Sequence, residues 1–151
     1  MAVSWSCLHH RDLDKYALYQ VLRLRCEVFV VEQRCPYQDV DGQDLDGDTH
    51  HLLGYEDGVL LAYLRLLAPA EPGAAPTIGR VITAPAGRGR GLGHALLEQG
   101  LIACKRLWPG QSLYLSAQAH LQGYYGRYGF RAEGEVYLED GIAHVDMRRP
   151  G

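Results

Sequence analysis

The spacing of hydrophobic and polar positions along the chain alternates between a pattern typical of helices and one typical of strands. In residues 14–32 the apolar positions recur three or four residues apart, which predicts one helix or two helices in succession. The same spacing predicts a helix over residues 92–107, and residues 121–128 have the pattern of a shorter one. Three helical segments are therefore expected, separated by strands.

Extended patterns occupy most of the remaining chain. The predicted strands are residues 3–8, 51–55, 59–67, 77–83, 112–117, 130–138 and 142–148. Asp57-Gly58 and Asp140-Gly141 each join two of these strands, and Asp-Gly is a strong hairpin signal because both residues tolerate positive φ. Because the order of elements mixes hairpins with helical crossovers, it favours an α/β (α+β) fold with a mixed sheet and helices on both faces.

The length and composition are those of a globular domain. The chain has 151 residues, of which 47% are hydrophobic, so residues 1–151 are expected to form a single domain with a sizeable core. A formal net charge of -3 lacks the basicity that nucleic-acid binding needs, and we expect no nucleic-acid partner. The sequence has neither a signal-like start nor a run of about 18 apolar residues, which predicts a cytoplasmic protein without a membrane partner.

Metal binding is not indicated by the sequence. The four cysteines form no Cys-x-x-Cys pair, and we interpret them as reduced thiols. Five aspartates fall within ten residues, but the glycine and glutamate of a calcium-binding loop are missing. They are Asp39, Asp41, Asp44, Asp46 and Asp48. Two interpretations remain open: a solvated loop whose aspartates cap helices and turns, or the border of an acceptor pocket that attracts a cationic amine.

A glycine-rich segment, Arg88-Gly89-Arg90-Gly91-Leu92-Gly93, stands between the predicted strand 77–83 and the helix 92–107. At such a place free backbone N–H groups and the positive end of the helix dipole favour an anion. The spacing matches neither Gly-x-Gly-x-x-Gly nor Gly-x-x-x-x-Gly-Lys-Ser/Thr, which disfavours dinucleotide and P-loop sites. The alternatives are a phosphate cradle and a flexible turn that is rich in glycine.

The segment fits the pattern Arg/Gln-x-x-Gly-x-Gly/Ala, and it resembles the pyrophosphate-binding signature of the GNAT N-acetyltransferase superfamily. A second segment, Tyr124-Tyr125-Gly126-Arg127-Tyr128-Gly129-Phe130, resembles that superfamily's aromatic-Tyr-x-x-x-Gly-Phe segment. Residues 24–38 and 116–120 are similar to the ElaA-type branch. The resemblance covers essentially the whole chain, and it implies a mostly antiparallel central sheet of about seven strands.

The resemblance implies a binding site for acetyl-CoA and no metal. The main chain of residues 81–83 would pair with the pantetheine amides, and the amides of the glycine-rich loop would hold the diphosphate. Arg88 and Arg90 would add charge-assisted hydrogen bonds to phosphate. Gln118 stands where an asparagine often contacts the pantetheine arm. The implied cosubstrate-binding residues are Val81, Ile82, Thr83, Arg88, Gly89, Arg90, Gly91, Leu92, Gly93 and Gln118.

The resemblance also implies direct acetyl transfer without a covalent enzyme intermediate. The backbone N–H of Val81 or Ile82 would polarise the thioester carbonyl. Tyr125 would be the general acid for the leaving thiolate, because a phenol is protonated at neutral pH. Candidates for the base that deprotonates the amine are Glu32 and His120, which lie in the family-like segments, with His50, His51 and His144 as further candidates.

We therefore expect an acetyl-CoA-dependent N-acetyltransferase that acts on a primary amine of a small molecule or peptide. The alternative is a non-catalytic acyl-CoA-binding or sensing module, and the presence of Tyr125 beside an intact loop favours the enzyme. An NAD-dependent oxidoreductase is disfavoured by the missing fingerprint and by the hairpins. A homodimer would be in keeping with the superfamily, although the sequence specifies no interface.

Overall fold

An eight-stranded sheet and three α-helices make up the fold of residues 2–151, the part of the chain that the computed structural model describes. The strands are β1 (Ser4–His9), β2 (His50–Glu56), β3 (Val59–Leu67), β4 (Thr77–Thr83), β5 (Leu113–Gln118), β6 (Arg131–Ala132), β7 (Tyr137–Glu139) and β8 (Ile142–Arg149). The helices are α1 (Lys15–Arg25), α2 (Leu92–Leu107) and α3 (Gln122–Gly126). A π-helix, Cys26–Glu32, continues from α1, and 3₁₀ turns occur at His10–Asp12, Pro85–Gly87 and Ala119–Leu121.

Neighbouring strands follow the order β1-β2-β3-β4-β5-β8-β6, and β7 also pairs with β8. β4 and β5 run parallel, whereas the other pairs are antiparallel. The mixed, mostly antiparallel sheet is therefore confirmed, and it has eight strands where about seven were expected. Residues 130–138 form two short strands instead of one, because Gly134 between them has a φ of +101° and interrupts the extended backbone.

The helices lie on both faces of the sheet, as the order of elements predicted. Successive side chains of β3 point to opposite faces of the sheet. Leu61 and Tyr63 belong to the core cluster that contains α1 residues. Ala62 and Leu64 belong to the cluster that contains most of the buried α2 residues. The second cluster also contains residues of β5 and β8. α2 therefore shares a core cluster with strands on both sides of the β4–β5 pair.

Residues 14–32 form two helices in succession, one of the two arrangements that the periodicity allowed. Asp14 caps α1 by accepting a hydrogen bond from the backbone N–H of Ala17 at 2.8 Å. From Cys26 the backbone changes to the wider π-helix. α3 is shorter than the predicted residues 121–128, because a 3₁₀ turn precedes it and Gly129, with a φ of +90°, redirects the chain after it. No helix within residues 2–151 combines the length and the apolar character needed to cross a lipid bilayer.

β4 and β5 are joined at one end only. Their register pair is Thr77 with Tyr114, and beyond it the two strands diverge. On its other edge β4 contains a β-bulge, since the register with β3 shifts between Tyr63 and Arg65. The bulge includes Arg80, whose φ of +53° is uncommon for a residue other than glycine. The edge of β4 that faces β5 is therefore left open from residue 78 onward.

Candidate active site

A cavity of about 420 Å³ opens where β4 and β5 diverge. Val81 lines it from β4, Gln118 from β5 and Tyr125 from α3. Charged side chains from the chain before β2, from β3 and β4, and from the β7–β8 hairpin complete its wall. They are Asp41, Arg65, Arg80, Glu139, Asp140 and His144. The cavity thus joins an open strand edge to a set of ionisable groups.

Tyr125 provides a buried phenol at this cavity. Its ring packs edge-on against Phe130, with the ring centroids 6.1 Å apart. Burial raises the pKa of Tyr125 to about 12, and no charged neighbour contributes to the shift. The hydroxyl therefore keeps its proton at neutral pH, and it can donate a hydrogen bond or a proton to a group in the cavity.

The glycine-rich loop ends at the N-terminus of α2 without a side-chain cap. Gly91 occupies the capping position with a φ of +74°, and Gly89 has a φ of +77°. A Cβ atom on either residue would meet no atom within 4 Å, so the space beside the loop is open. The first backbone N–H groups of a helix have no acceptor within the helix. The residues present therefore fit an anionic group such as the diphosphate of an acyl-CoA.

A hydrogen bond holds this loop beside the cavity, and the loop also lies close to the end of β4. The hydroxyl of Tyr124 donates a hydrogen bond to the carbonyl oxygen of Gly93. A Cβ atom on Gly93 would lie 3.7 Å from Oγ1 of Thr83, the last residue of β4. Tyr124 precedes Tyr125 in α3, and the two rings pack edge-on. The anion site, the open edge of β4 and the buried phenol are thereby kept close together.

The two arginines of the loop are paired with carboxylates. Arg88 forms two hydrogen bonds to Glu32, and Nη2 of Arg90 lies 2.5 Å from Oε2 of Glu56. The hydrogen bond from Arg88 holds the pKa of Glu32 below its ordinary value. Glu32, one of the predicted bases, is therefore an ion-pair partner that lies outside the cavity lining.

Among the histidines predicted as bases, His144 is the one that lines the cavity. His120 is exposed on the 3₁₀ turn after β5 and does not contribute to the lining. His51 is fully buried, and both of its ring nitrogens are hydrogen-bonded within the protein. His50 lies outside the cavity lining. The structure therefore brings His144 to Tyr125, Val81 and Gln118, and leaves Glu32 and His120 elsewhere.

The other predicted cosubstrate residues belong to β4 and β5. Val81 lines the cavity, Ile82 is buried in the core cluster of α1, and Thr83 ends β4 beside the loop. Because the side chain of Ile82 is buried, any contact of this residue with a ligand would come from its backbone. Gln118 lines the cavity from β5, and its Nε2 lies 3.5 Å from Oε1 of Gln33.

A buried network of three arginines and three aspartates borders the cavity. Arg25 is fully buried, with Nε 2.9 Å from Oδ2 of Asp39 and Nη1 2.5 Å from Oδ1 of Asp44. The remaining pairs are Arg65 with Asp41 and Asp44, and Arg80 with Asp39 and Asp41. Three positive and three negative charges balance, so each buried charge has a partner of opposite sign.

This network corrects the prediction of a solvated aspartate loop. Asp39 and Asp44 are buried and ion-paired, whereas Asp46 and Asp48 are exposed. Asp41 lines the cavity, as the other interpretation required, but it is paired with two arginines. Its charge is therefore already balanced within the protein, which weakens its attraction for a cationic amine.

The arginines of the network were not predicted as site residues. Arg65 interrupts the apolar run of β3, and Arg25 lies at a core position of α1. A charged residue in such a position requires a partner, so the two arginines and the acidic run together carried a usable signal. Arg80 carried no such signal, because its orientation depends on the bulge in β4.

The diverging strand pair, the uncapped N-terminus of α2 and the buried phenol are the arrangement expected of an N-acyltransferase that uses acyl-CoA. A family model for the acetyltransferase (GNAT) domain matches residues 13–150, and the chain belongs to this family. The fold class and the resemblance derived from the sequence are thereby confirmed.

Similar proteins place the chain near ElaA within this family. The protein ElaA of Escherichia coli (strain K12) is 48% identical over 147 residues, which cover 97% of this chain and 96% of ElaA. The crystal structure of Escherichia coli ElaA matches with a TM-score of 0.94 over 97% of this chain and 99% of that chain. The crystal structure of an acyl-CoA N-acyltransferase from Pseudomonas aeruginosa is 61% identical, with a TM-score of 0.94 and coverage of 98% and 99%.

Proposed function

We propose that the protein transfers an acetyl group from acetyl-CoA directly to a primary amine of a small molecule or peptide. The observation that carries this proposal is the position of Tyr125, a buried and protonated tyrosine that lines the cavity at the open edge of β4. Membership of the GNAT family supports acyl transfer in general, and the acetyl group is the specific part of the proposal. The reaction would draw on the acetyl-CoA of the cytoplasm.

Acetyl-CoA supplies an activated thioester, and this chain would hold it at two places. The backbone N–H groups of residues 89–93 and the positive end of the α2 dipole would bind the diphosphate. The open edge of β4 would pair with the pantetheine amides as with an added strand. Arg88 and Arg90 lie on the same loop, where each would contact phosphate by exchanging its carboxylate partner.

Two groups of the chain would act on the reacting atoms. The backbone N–H of Val81, or of its neighbour Ile82, would donate to the thioester carbonyl oxygen and stabilise the negative charge that develops there. Val81 suits this role because it lines the cavity in the open stretch of β4 and lies, with Arg80, in the bulge. Tyr125 would give its proton to the sulfur as the C–S bond breaks.

Direct transfer needs no side-chain nucleophile. Cys35 has a thiol at the cavity wall, and its Sγ lies 3.3 Å from the carbonyl oxygen of Asp140, to which it donates a hydrogen bond. On this proposal the rate enhancement comes from holding amine and thioester in contact and from the fixed donors around them.

Release of CoA from acetyl-CoA tests the proposal, with L-lysine, spermidine, an amino-acid amide and short peptides as acceptors. We expect turnover with at least one of them. With that amine, Tyr125→Phe should lower kcat about 100-fold, because phenylalanine keeps the packing but cannot supply a proton. The KM for acetyl-CoA should change little. Tyr19→Phe removes an exposed hydroxyl from α1 and is the matched control.

Two outcomes would count against the proposal. An unchanged kcat in Tyr125→Phe would remove the general acid. Tight binding of acetyl-CoA without CoA release for every amine would favour the non-catalytic sensing module instead.

A further inference from the structure

His144 stands on β8 directly opposite Gln118 of β5, and it lines the same cavity as Tyr125. Two contacts fix the orientation of its imidazole. Nδ1 lies 2.7 Å from the carbonyl oxygen of Ile142, and the ring stacks on Tyr137 with the centroids 6.2 Å apart. Because a carbonyl oxygen only accepts, Nδ1 carries the proton in this contact. A neutral His144 therefore has its lone pair on Nε2.

The groups around His144 suit a proton acceptor. Oε2 of Glu139, on β7, lies 3.8 Å from Nε2, so a carboxylate stands beside this nitrogen. The side chain of His144 is 13% exposed, so part of the imidazole reaches solvent. β5 presents the uncharged Gln118, and the 3₁₀ turn after it carries the exposed His120. The turn between β7 and β8 adds Asp140 to the same cavity wall.

We propose that Nε2 of His144 is the general base that takes a proton from the acceptor ammonium, an assignment that rests on the proposed acetyl transfer. The two bases favoured by the sequence are placed elsewhere, since Glu32 is bound to Arg88 and His120 lies outside the cavity lining. His144 shares the cavity with Tyr125. Base and acid thus come from different elements and act on one pair of reactants.

Amide formation removes two protons from the acceptor ammonium, and each of them has a destination. The acceptor ammonium gives one proton to Nε2 of His144, which releases it to water. The nitrogen lone pair then forms the C–N bond as the C–S bond breaks. Tyr125 gives its proton to the sulfur. It then takes the second proton from the acceptor nitrogen, which becomes the amide nitrogen. The products are the N-acetyl amine, CoA with a neutral thiol, and one proton in solution.

The test compares His144→Asn with the wild-type enzyme, using acetyl-CoA and the amine of the panel with the highest kcat/KM. The asparagine amide can still donate to the carbonyl oxygen of Ile142, but it has no lone pair in place of Nε2. We expect kcat/KM for the amine to fall about 100-fold at pH 7. The inflection that imidazole protonation causes should disappear from the pH profile. Added imidazole should restore part of the rate, which a structural defect would not allow.

Two further variants separate a base from a structural residue. His120→Asn removes an imidazole from the exposed turn after β5, and it should leave kcat/KM and the pH profile unchanged. His144→Gln also removes the basic nitrogen and keeps a polar amide side chain, so its kcat/KM should fall as in His144→Asn.

The outcomes are distinct. Wild-type kcat/KM and an unchanged profile in His144→Asn would overturn the assignment, as would a loss in His120→Asn instead. Calorimetric binding of CoA shows whether His144→Asn is folded; if it is not, a wild-type kcat/KM in His144→Gln overturns the assignment. If the wild-type enzyme releases no CoA with any amine, the proposed acetyl transfer itself fails, and the base assignment falls with it.

Discussion

The guanidinium of Arg88 and the carboxylate of Glu32 form a two-point ion pair in which both N–O distances are 2.6 Å. The pair joins the end of the π-helix to the glycine-rich loop before α2. The side chains are 44% and 43% exposed, so water and salt screen their attraction. Glu32 therefore holds, weakly, the same guanidinium that a phosphate would use.

Glu32→Gln should tighten the binding of CoA, because it removes a competitor for Arg88. The gain should not exceed about fivefold in Kd, since exposed ion pairs are weak. Calorimetric titration with CoA at low and high salt measures it. Glu98→Gln, at an exposed position of α2, should leave the Kd unchanged. Weaker binding in Glu32→Gln would mean that the pair orders the loop for its ligand.

Arg25→Met should strongly destabilise the protein, because it leaves Asp39 and Asp44 buried without their shared partner. Removing one member of a buried ion pair costs about 3–5 kcal/mol. Urea denaturation measures the change in the free energy of unfolding. Arg23→Met, on an exposed position of the same helix, should change it by about 0.5 kcal/mol or less. A loss below about 1 kcal/mol in Arg25→Met would contradict the prediction and indicate that the other arginines compensate.

Stability should decline in acid as the carboxylates of the network take up protons. Burial alone would raise the pKa of Asp44, but hydrogen bonds and charges from Arg25 and Arg65 outweigh it and hold that pKa below its ordinary value. Such a group stabilises the fold above its unfolded pKa of about 3.9, and the contribution is lost as pH falls through the lower folded value.

The free energy of unfolding of the wild-type protein should therefore fall below about pH 4. Asp44→Asn should be less stable at pH 7 and should show a shallower decline in acid. Urea denaturation at a series of pH values measures both slopes. Parallel curves for the two proteins would show that Asp44 does not contribute to the acid sensitivity.

Two glycines of the loop should respond differently to alanine. Gly91→Ala forces a left-handed backbone, at a φ of +74°, on a residue with a side chain, which costs about 1–2 kcal/mol. Gly93 lies in the first turn of α2, and a Cβ atom there would meet Thr83 and Tyr124 at an ordinary 3.7 Å. Gly93→Ala should be neutral or stabilise by up to about 1 kcal/mol. Equal losses of stability on denaturation would contradict this difference.

Local signals predicted most of the fold. The Asp57-Gly58 turn has φ values of +50° and +77°, as a hairpin of this type requires, and β4 spans the predicted residues. The division of residues 130–138 was missed, because a single glycine inside an extended pattern does not reveal its φ. The bulge at Arg80 was missed for a related reason: it arises from the register between two strands, which neither strand encodes alone.

The same limit applies to the site. Tyr125, Val81 and the loop could be predicted as site residues because each belongs to a short motif that can be read locally. The pairing of Arg88 with Glu32 spans 56 positions, and the position of His144 opposite Gln118 depends on strand register. Such contacts are fixed by tertiary packing, so the sequence names candidates for the base but does not show which of them lines the cavity.

The single register pair between β4 and β5 has a consequence for the cohesion of the whole protein. It divides the backbone ladder into two halves, β1 to β4 and β5 to β8, which are held together mainly by side chains of the core that includes α2. A ligand whose amides bridge the gap would extend the ladder from one half to the other. Ligand binding would then be coupled to the local opening of the two halves. It should therefore slow amide hydrogen exchange on both sides of the gap.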